Sequence, residues 1–174
     1  MKLIIALRRS LDTLYRACTA LAGFFLVLTA LFVVAQIAGR ATGVAIRSSD
    51  DFAGYCMAAM IFLALPITLR AGRHVRVSLL LDSVPAAYKG ALEGWCLLGA
   101  AILIGYFGWS TAEMTWDSYR FNEVSAGLLP TPLWIPQSGI TLGLLVFCIS
   151  LIDELARLLG TGATSYDRTA PVAK

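Results

Sequence analysis

The sequence predicts an all-α integral membrane protein: four transmembrane helices, both termini cytoplasmic, an amphipathic N-terminal helix and a basic cytoplasmic middle loop. Three observations carry this. The 174 residues are 58% hydrophobic and 14% charged, well below the roughly 25% charged of soluble domains, and the mean hydropathy is +0.75. Four stretches, 17–39, 52–69, 94–112 and 124–152, hold 23, 18, 19 and 29 residues and no charge at all. Since about 20 residues at about 1.5 Å rise cross a hydrocarbon layer of about 30 Å, each stretch is long enough to span. Finally, Lys and Arg are unequally shared between alternate polar segments. Eleven fall in the N-terminal segment (Lys2, Arg8, Arg9, Arg16), the middle loop (Arg70, Arg73, Arg76, Lys89) and the C-terminal tail (Arg157, Arg168, Lys174), against three on the other side (Arg40, Arg47, Arg120). The positive-inside rule then puts both termini and the middle loop in the cytoplasm.

Taken in chain order, residues 2–16 place Leu3, Ile4, Leu7, Leu11 and Leu14 opposite Lys2, Arg8, Arg9, Asp12 and Arg16, the pattern of a helix lying on the inner surface or of a charged anchor. The apolar run that follows exceeds the roughly 7–15 residues of a signal peptide core, so it is expected to be a retained first span. Before span two, Ser48, Ser49, Asp50 and Asp51 suit a capped helix start with acids near the positive dipole end. In the middle loop Val77, Leu80, Leu81 and Val84 repeat at helical spacing, suggesting a short interfacial helix ended near Pro85. Pro85 then suits the first turn of a helix leading into span three. Span four is entered through a proline-rich stretch at 129–136, which places its start around Pro132 and its end near Ile152. Trp95, Trp109, Trp116 and Trp134 all fall near boundaries, where an indole sits in apolar surroundings with its N–H wet. The organisation expected is one membrane domain over 1–159, with spans of about 17–39, 52–69, 94–112 and 132–152, and a disordered cytoplasmic tail over 160–174.

The chemistry is mostly defined by what the runs lack. No Asp, Glu, Lys, Arg or His lies within them, which weighs against a small proton-coupled exporter working through a central carboxylate. One histidine, His74, cannot supply two axial haem ligands. Cys18, Cys56, Cys96 and Cys148 fall one per run with no close C-x-x-C spacing, as expected of buried apolar thiols. No catalytic, cofactor-binding or metal-binding motif is found, and a net charge of +3 spread over short loops offers no nucleic-acid face. What remains is packing surface. Ala101, Gly105, Gly108 and Ala112 line one face of span three, and Gly139 and Gly143 form a G-x-x-x-G on span four; small residues of this kind let membrane helices approach, within one chain or against a partner.

The order of these features resembles the small permease subunit of TRAP (tripartite ATP-independent periplasmic) transporters, the DctQ-like family, over roughly residues 10 to 158. Gln36 to Arg40 is similar to the family's Q-x-x-x-R exit from span one. Ser49-Asp50-Asp51-Phe52-Ala53-Gly54-Tyr55 resembles its S-E-E-x-A-R-Y entry to span two. Leu69 to Val77 resembles its R-x-G-x-H-I-R-V-D stretch, and Leu129 to Gly139 its P-L-W entrance to span four. Departures are Ser48 for a frequent Trp, Gly54 for Arg and Ser78 for Asp.

The resemblance implies a three-part machine in the bacterial inner membrane. A periplasmic solute-binding protein delivers an organic acid, a separate large permease subunit moves it with an ion gradient, and the small subunit braces the large one without cofactor or enzymatic activity. Within that picture Arg40, Asp50 and Asp51 are candidate contacts for a partner at the outer face, or else a snorkelling arginine and two helix-start acids. Arg70, Arg73, His74 and Arg76 are candidates to hold inner-leaflet phosphates of membrane lipids or the partner's cytoplasmic edge. Two other classes stay open on the residues alone: a self-sufficient homo-oligomeric transporter, and the membrane anchor of a redox complex.

Overall fold

The computed structural model describes residues 2–43, 48–71, 86–127 and 129–161. They form four helices, α1 (Lys2–Thr42), α2 (Ser49–Arg70), α3 (Ala86–Arg120) and α4 (Trp134–Thr161), and all four are long and apolar enough to cross a membrane. Of the described residues none lies in an extended strand; Val124 and Pro132 form a single antiparallel bridge in the loop before α4. The tail beyond 161, the interfacial segment 77–84, and Arg73, His74 and Arg76 lie outside the described residues.

The helices run past the charge-free stretches. Helix α1 has 41 residues, about 60 Å at 1.5 Å per residue, or twice the hydrocarbon thickness. Residues 2–16 are not set off as a separate surface helix. The segment has no proline or glycine to break the backbone ladder, so it continues into span one, and Leu11 and Leu14 pack against the bundle. Helices α3 and α4 similarly extend beyond 94–112 and 132–152. Past Ile152, Leu155 and Leu158 still pack on α3, which keeps α4 helical through Asp153 and Glu154. The start of α2 also departs from expectation. Ser48 occupies the N-cap position at φ 59°, ψ 12°, without a side-chain cap bond; its hydroxyl is turned to another part of the chain.

Packing joins α1 to α2, α2 to α4, and α4 to α3. The helices therefore lie in the order α1-α2-α4-α3, and the outermost two, α1 and α3, share no extended contact among the described residues. Burial follows this order: 39% of the apolar window of α4 and 28% of that of α2 are buried, against 11% in α1 and 6% in α3. The α1–α2 seam is built on Tyr15, Cys18, Ala22, Ala59 and Leu63. The α3–α4 seam is built on Leu97, Ala101, Phe147, Leu151 and Leu158, and the hydroxyls of Thr115 and Thr141 bond across it at 2.9 Å.

The central seam depends on glycine. A Cβ on Gly143 would stand 2.6 Å from the Phe62 carbonyl carbon and 2.7 Å from its oxygen, and one on Gly139 would stand 3.1 Å from Ala59 Cβ. Phe62 is four residues before Pro66, which lies inside α2. Proline has no N–H, so the Phe62 carbonyl has no i+4 backbone donor, and Gly143 of α4 sits against this carbonyl. The small faces singled out in the sequence thus serve contacts within the chain. A Cβ added at Gly105 would meet Cys148 and one at Gly108 would meet Leu144 and Leu145, all at ordinary contact distance, and Ala101 on the same helix is buried. Ala112 is half-buried on a surface groove near the C-terminal end of α3.

Gly143→Val should lose α2–α4 packing and destabilise by about 1–3 kcal/mol or more through overpacking. Gly90→Ala, at a helical position where an added methyl meets nothing, should be neutral or stabilising by up to about 1 kcal/mol. Thermal unfolding of the two purified variants in detergent compares them directly.

Candidate partner and anchor sites

Polar side chains gather at the two ends of the helix row. At the end holding the α1–α2 connection, Gln36 donates through its side-chain N–H to Asp50, one turn before Arg40 on α1. The Ser49 hydroxyl donates to the Phe32 carbonyl at 3.1 Å, and Phe32 stacks on Phe52 with ring centroids 5.8 Å apart. The two serines expected to cap α2 therefore bind tertiary partners: Ser49 holds α1, and Ser48 Oγ accepts the Leu129 N–H at 3.1 Å.

The loop between α3 and α4 folds over this end as a small hairpin. The Ser125 N–H donates to Thr131 at 2.8 Å and the Leu133 N–H to Glu123 at 3.0 Å, while Asn122 takes the left-handed φ of 50° that a tight turn needs. Ser118, buried at the end of α3, donates to Glu123 at 2.8 Å. Tyr55 of α2 donates to Ser125 Oγ at 3.0 Å. Gly127 sits so close to Asp51 that a Cβ there would stand 2.5 Å from the carboxylate oxygen. Asp51 is thus half-covered by the chain's own loop and Asp50 is tied to Gln36. Arg40 is exposed and makes no ion pair among the described residues. Of the three residues expected at this face, Asp50 has a hydrogen-bond partner, Arg40 and Asp51 make no ion pair among the described residues, and the structure does not pair Arg40 with either acid.

The other end joins α1, α2 and α4. Arg70 donates to Asp12 at 2.8 Å, and its guanidinium lies 4.8 Å from the centroid of the Tyr15 ring. The arginine expected to meet lipid phosphate is therefore engaged inside the chain and mostly covered, at 22% side-chain exposure. Nearby on α4, Asp153 and Arg157 pair at 3.4 Å, Ser150 is buried, and Glu154 is fully buried. Asp12 and Tyr15 were not singled out from the sequence. Asp12 did leave a signal, as one acid among the four cations of residues 2–16; Gly127 left none, because its role comes from a fold that brings residue 127 beside residue 51.

Side by side, the two ends differ in kind. At one end an ion pair fastens α1 to α2 and a second lies within α4, and the hairpin end presents Arg40 together with an exposed Asp50 and a half-covered Asp51. Neither arrangement positions a nucleophile and base for catalysis. The four cysteines are free thiols on different helices, and among the described residues no three metal-ligating side chains converge.

With Asp12 half exposed, its pair with Arg70 should be worth no more than about 1 kcal/mol after solvent screening, with a similar contribution from the cation–π contact. Arg70→Gln should therefore destabilise more than Asp12→Asn, and the double variant should cost less than the sum of the two. A double-mutant cycle on thermal unfolding measures that coupling.

A comparison with family models places this arrangement among known proteins. The model described as tripartite ATP-independent periplasmic transporters, DctQ component, matches residues 29–161, from the last third of α1 through the whole of α4. Set against the curated proteins and the solved structures, the chain has no match. The family match covers roughly three quarters of the sequence and takes in three complete spans and the last part of the first. The chain belongs to the DctQ family, the small permease components of TRAP transporters.

Proposed function

We propose that the chain braces a separate large permease subunit in the bacterial inner membrane, with both termini cytoplasmic, during ion-gradient-driven uptake of an organic acid brought by a periplasmic binding protein. The observation that carries this reading is the membership of a three-part transporter family by a chain with four charge-free runs that contain no Asp, Glu, Lys, Arg or His. Such a subunit contributes position and contact, while the groups that bind substrate and ion belong to the partner.

The construction of the chain suits a brace. Internal ties at both ends, Asp12–Arg70 and the Ser48–Leu129 and Tyr55–Ser125 bonds, resist relative movement of the helices. Interfacial tryptophans and inner-loop arginines resist displacement through the bilayer. In this reading Arg40 is the contact offered to a partner at the outer face, with Asp50 and Asp51 shaping the surface beside it.

Purification of the tagged chain from its native membrane in mild detergent should recover one large multi-span protein in near-equal amount by mass spectrometry; recovery of the chain alone as a self-associated oligomer would sink the brace. Arg40→Glu should lower solute uptake several-fold while the chain remains folded. Unchanged uptake and unchanged recovery of the large subunit would remove Arg40 from the docking surface.

A further inference from the structure

Apart from Asp12, which reaches Arg70 of α2, the outward face of the first third of α1 takes no part in the packing of the row. At about 100° per residue, Arg8, Asp12, Arg16, Arg9 and Thr13 follow one another across a sector of about 140°. Leu11, Leu14, Tyr15 and Cys18, which pack on the bundle, occupy the opposite side. These five residues line a shallow concavity of about 430 Å³. Arg8, Arg9 and Arg16 are exposed and have no ion pair among the described residues. The one carboxylate in the concavity, Asp12, is held by Arg70 at 2.8 Å on its inner side. The Thr13 hydroxyl is also engaged, donating to the Arg9 carbonyl at 2.9 Å. The concavity is therefore an unneutralised cationic cradle at the edge of the charge-free run that begins at residue 17.

What lies next to it along the helix narrows the choice of ligand. Continuing up the same sector, Ala20 and Gly23 are small and exposed, and a Cβ at Gly23 would meet nothing. Val27 then stands 58% exposed. From Arg16 to Val27 the rise is about 16 Å, close to half of a hydrocarbon layer of about 30 Å. A free anion would use the arginines and leave the apolar strip idle, whereas a molecule with an anionic head and a long hydrocarbon tail fits both. Guanidinium groups bind phosphate through charge-assisted, often bidentate hydrogen bonds.

We infer that α1 carries a binding site for an anionic phospholipid, with Arg8, Arg9 and Arg16 around its headgroup phosphate and an acyl chain along Ala20, Gly23 and Val27. The arginines lie before residue 29, outside the segment matched by the family, and the inference does not depend on the large subunit or on the orientation of the chain. It differs from a general attraction of basic residues to membranes in naming a lipid that stays bound when the bulk bilayer is removed.

The test is native mass spectrometry of the full-length chain after reconstitution with equal phosphatidylglycerol and phosphatidylcholine and extraction into a delipidating detergent. The chain should retain phosphatidylglycerol in preference, and the variant R8Q/R9Q/R16Q should lose that retention by about tenfold or more. Arg120→Gln, which removes a charge at the opposite end of the row, should keep it. Should the triple variant fail to show a helical circular dichroism spectrum, R9Q and R16Q singly should each lower retention about threefold. Equal retention of the two lipids, or retention unchanged in the arginine variants, overturns the site. Displacement of phosphatidylglycerol by inorganic phosphate alone would also overturn it, by assigning the cradle to a free anion.

Discussion

In a bilayer the surroundings of a helix are as apolar as its neighbours, so helices are held together by close approach rather than by escape from solvent. The row of four depends on one such approach, that of α4 to α2 at Gly139 and Gly143. Every other seam hangs from this pair: α1 reaches the rest of the molecule mainly through α2, and α3 mainly through α4. The seam uses a defect in α2. Pro66 leaves the Phe62 carbonyl without its usual donor, and Gly143 brings the backbone of α4 against it with no side chain between. A proline inside a spanning helix frees one carbonyl from the backbone ladder, and here that carbonyl lies in the tightest part of the α2–α4 seam, against Gly143.

The ends of the row solve a different problem. There the chain emerges into headgroups and water, where contacts are polar, and hydrogen bonds decide which loop rests on which helix. The hairpin before α4 is fixed by Ser48, Tyr55 and the space left at Gly127, so the start of α2 and the entrance to α4 form one surface. At the opposite end Arg70 bridges to α1 with both its charge and its cationic face. The polar groups left over for other contacts are those these ties do not consume.

The number and type of the elements were legible because burial in lipid forbids charge, and a run without charge is visible in one dimension. Helix ends were less so. A charge-free run marks hydrocarbon depth, while a helix continues for as long as its backbone bonds and packing allow, as α4 does through Leu155 and Leu158. The glycines of α4 and the small face of α3 stood out as patterns, but spacing alone could not tell an internal seam from a partner face. Asp12 with Arg70 and Asp51 with Gly127 are separated by dozens of residues, and periodicity within one helix says nothing about the register of another. Ser48 and Ser49 looked like caps because caps and tertiary donors draw on the same residue types.

The two outer edges of the row are chemically unlike. Along its span α1 shows aliphatic groups, Val27, Leu31 and Val34 among them, whereas α3 shows rings from end to end, with Trp95, Tyr106, Trp109 and Trp116 each more than 60% exposed. Rings that prefer the interfacial depth resist travel in either direction, and α3 has them near both ends of its apolar run; the aliphatic edge offers no such detent along its span. A force normal to the bilayer would then produce a torque, with the plank of helices turning about its ring-bearing margin before it sinks as a whole.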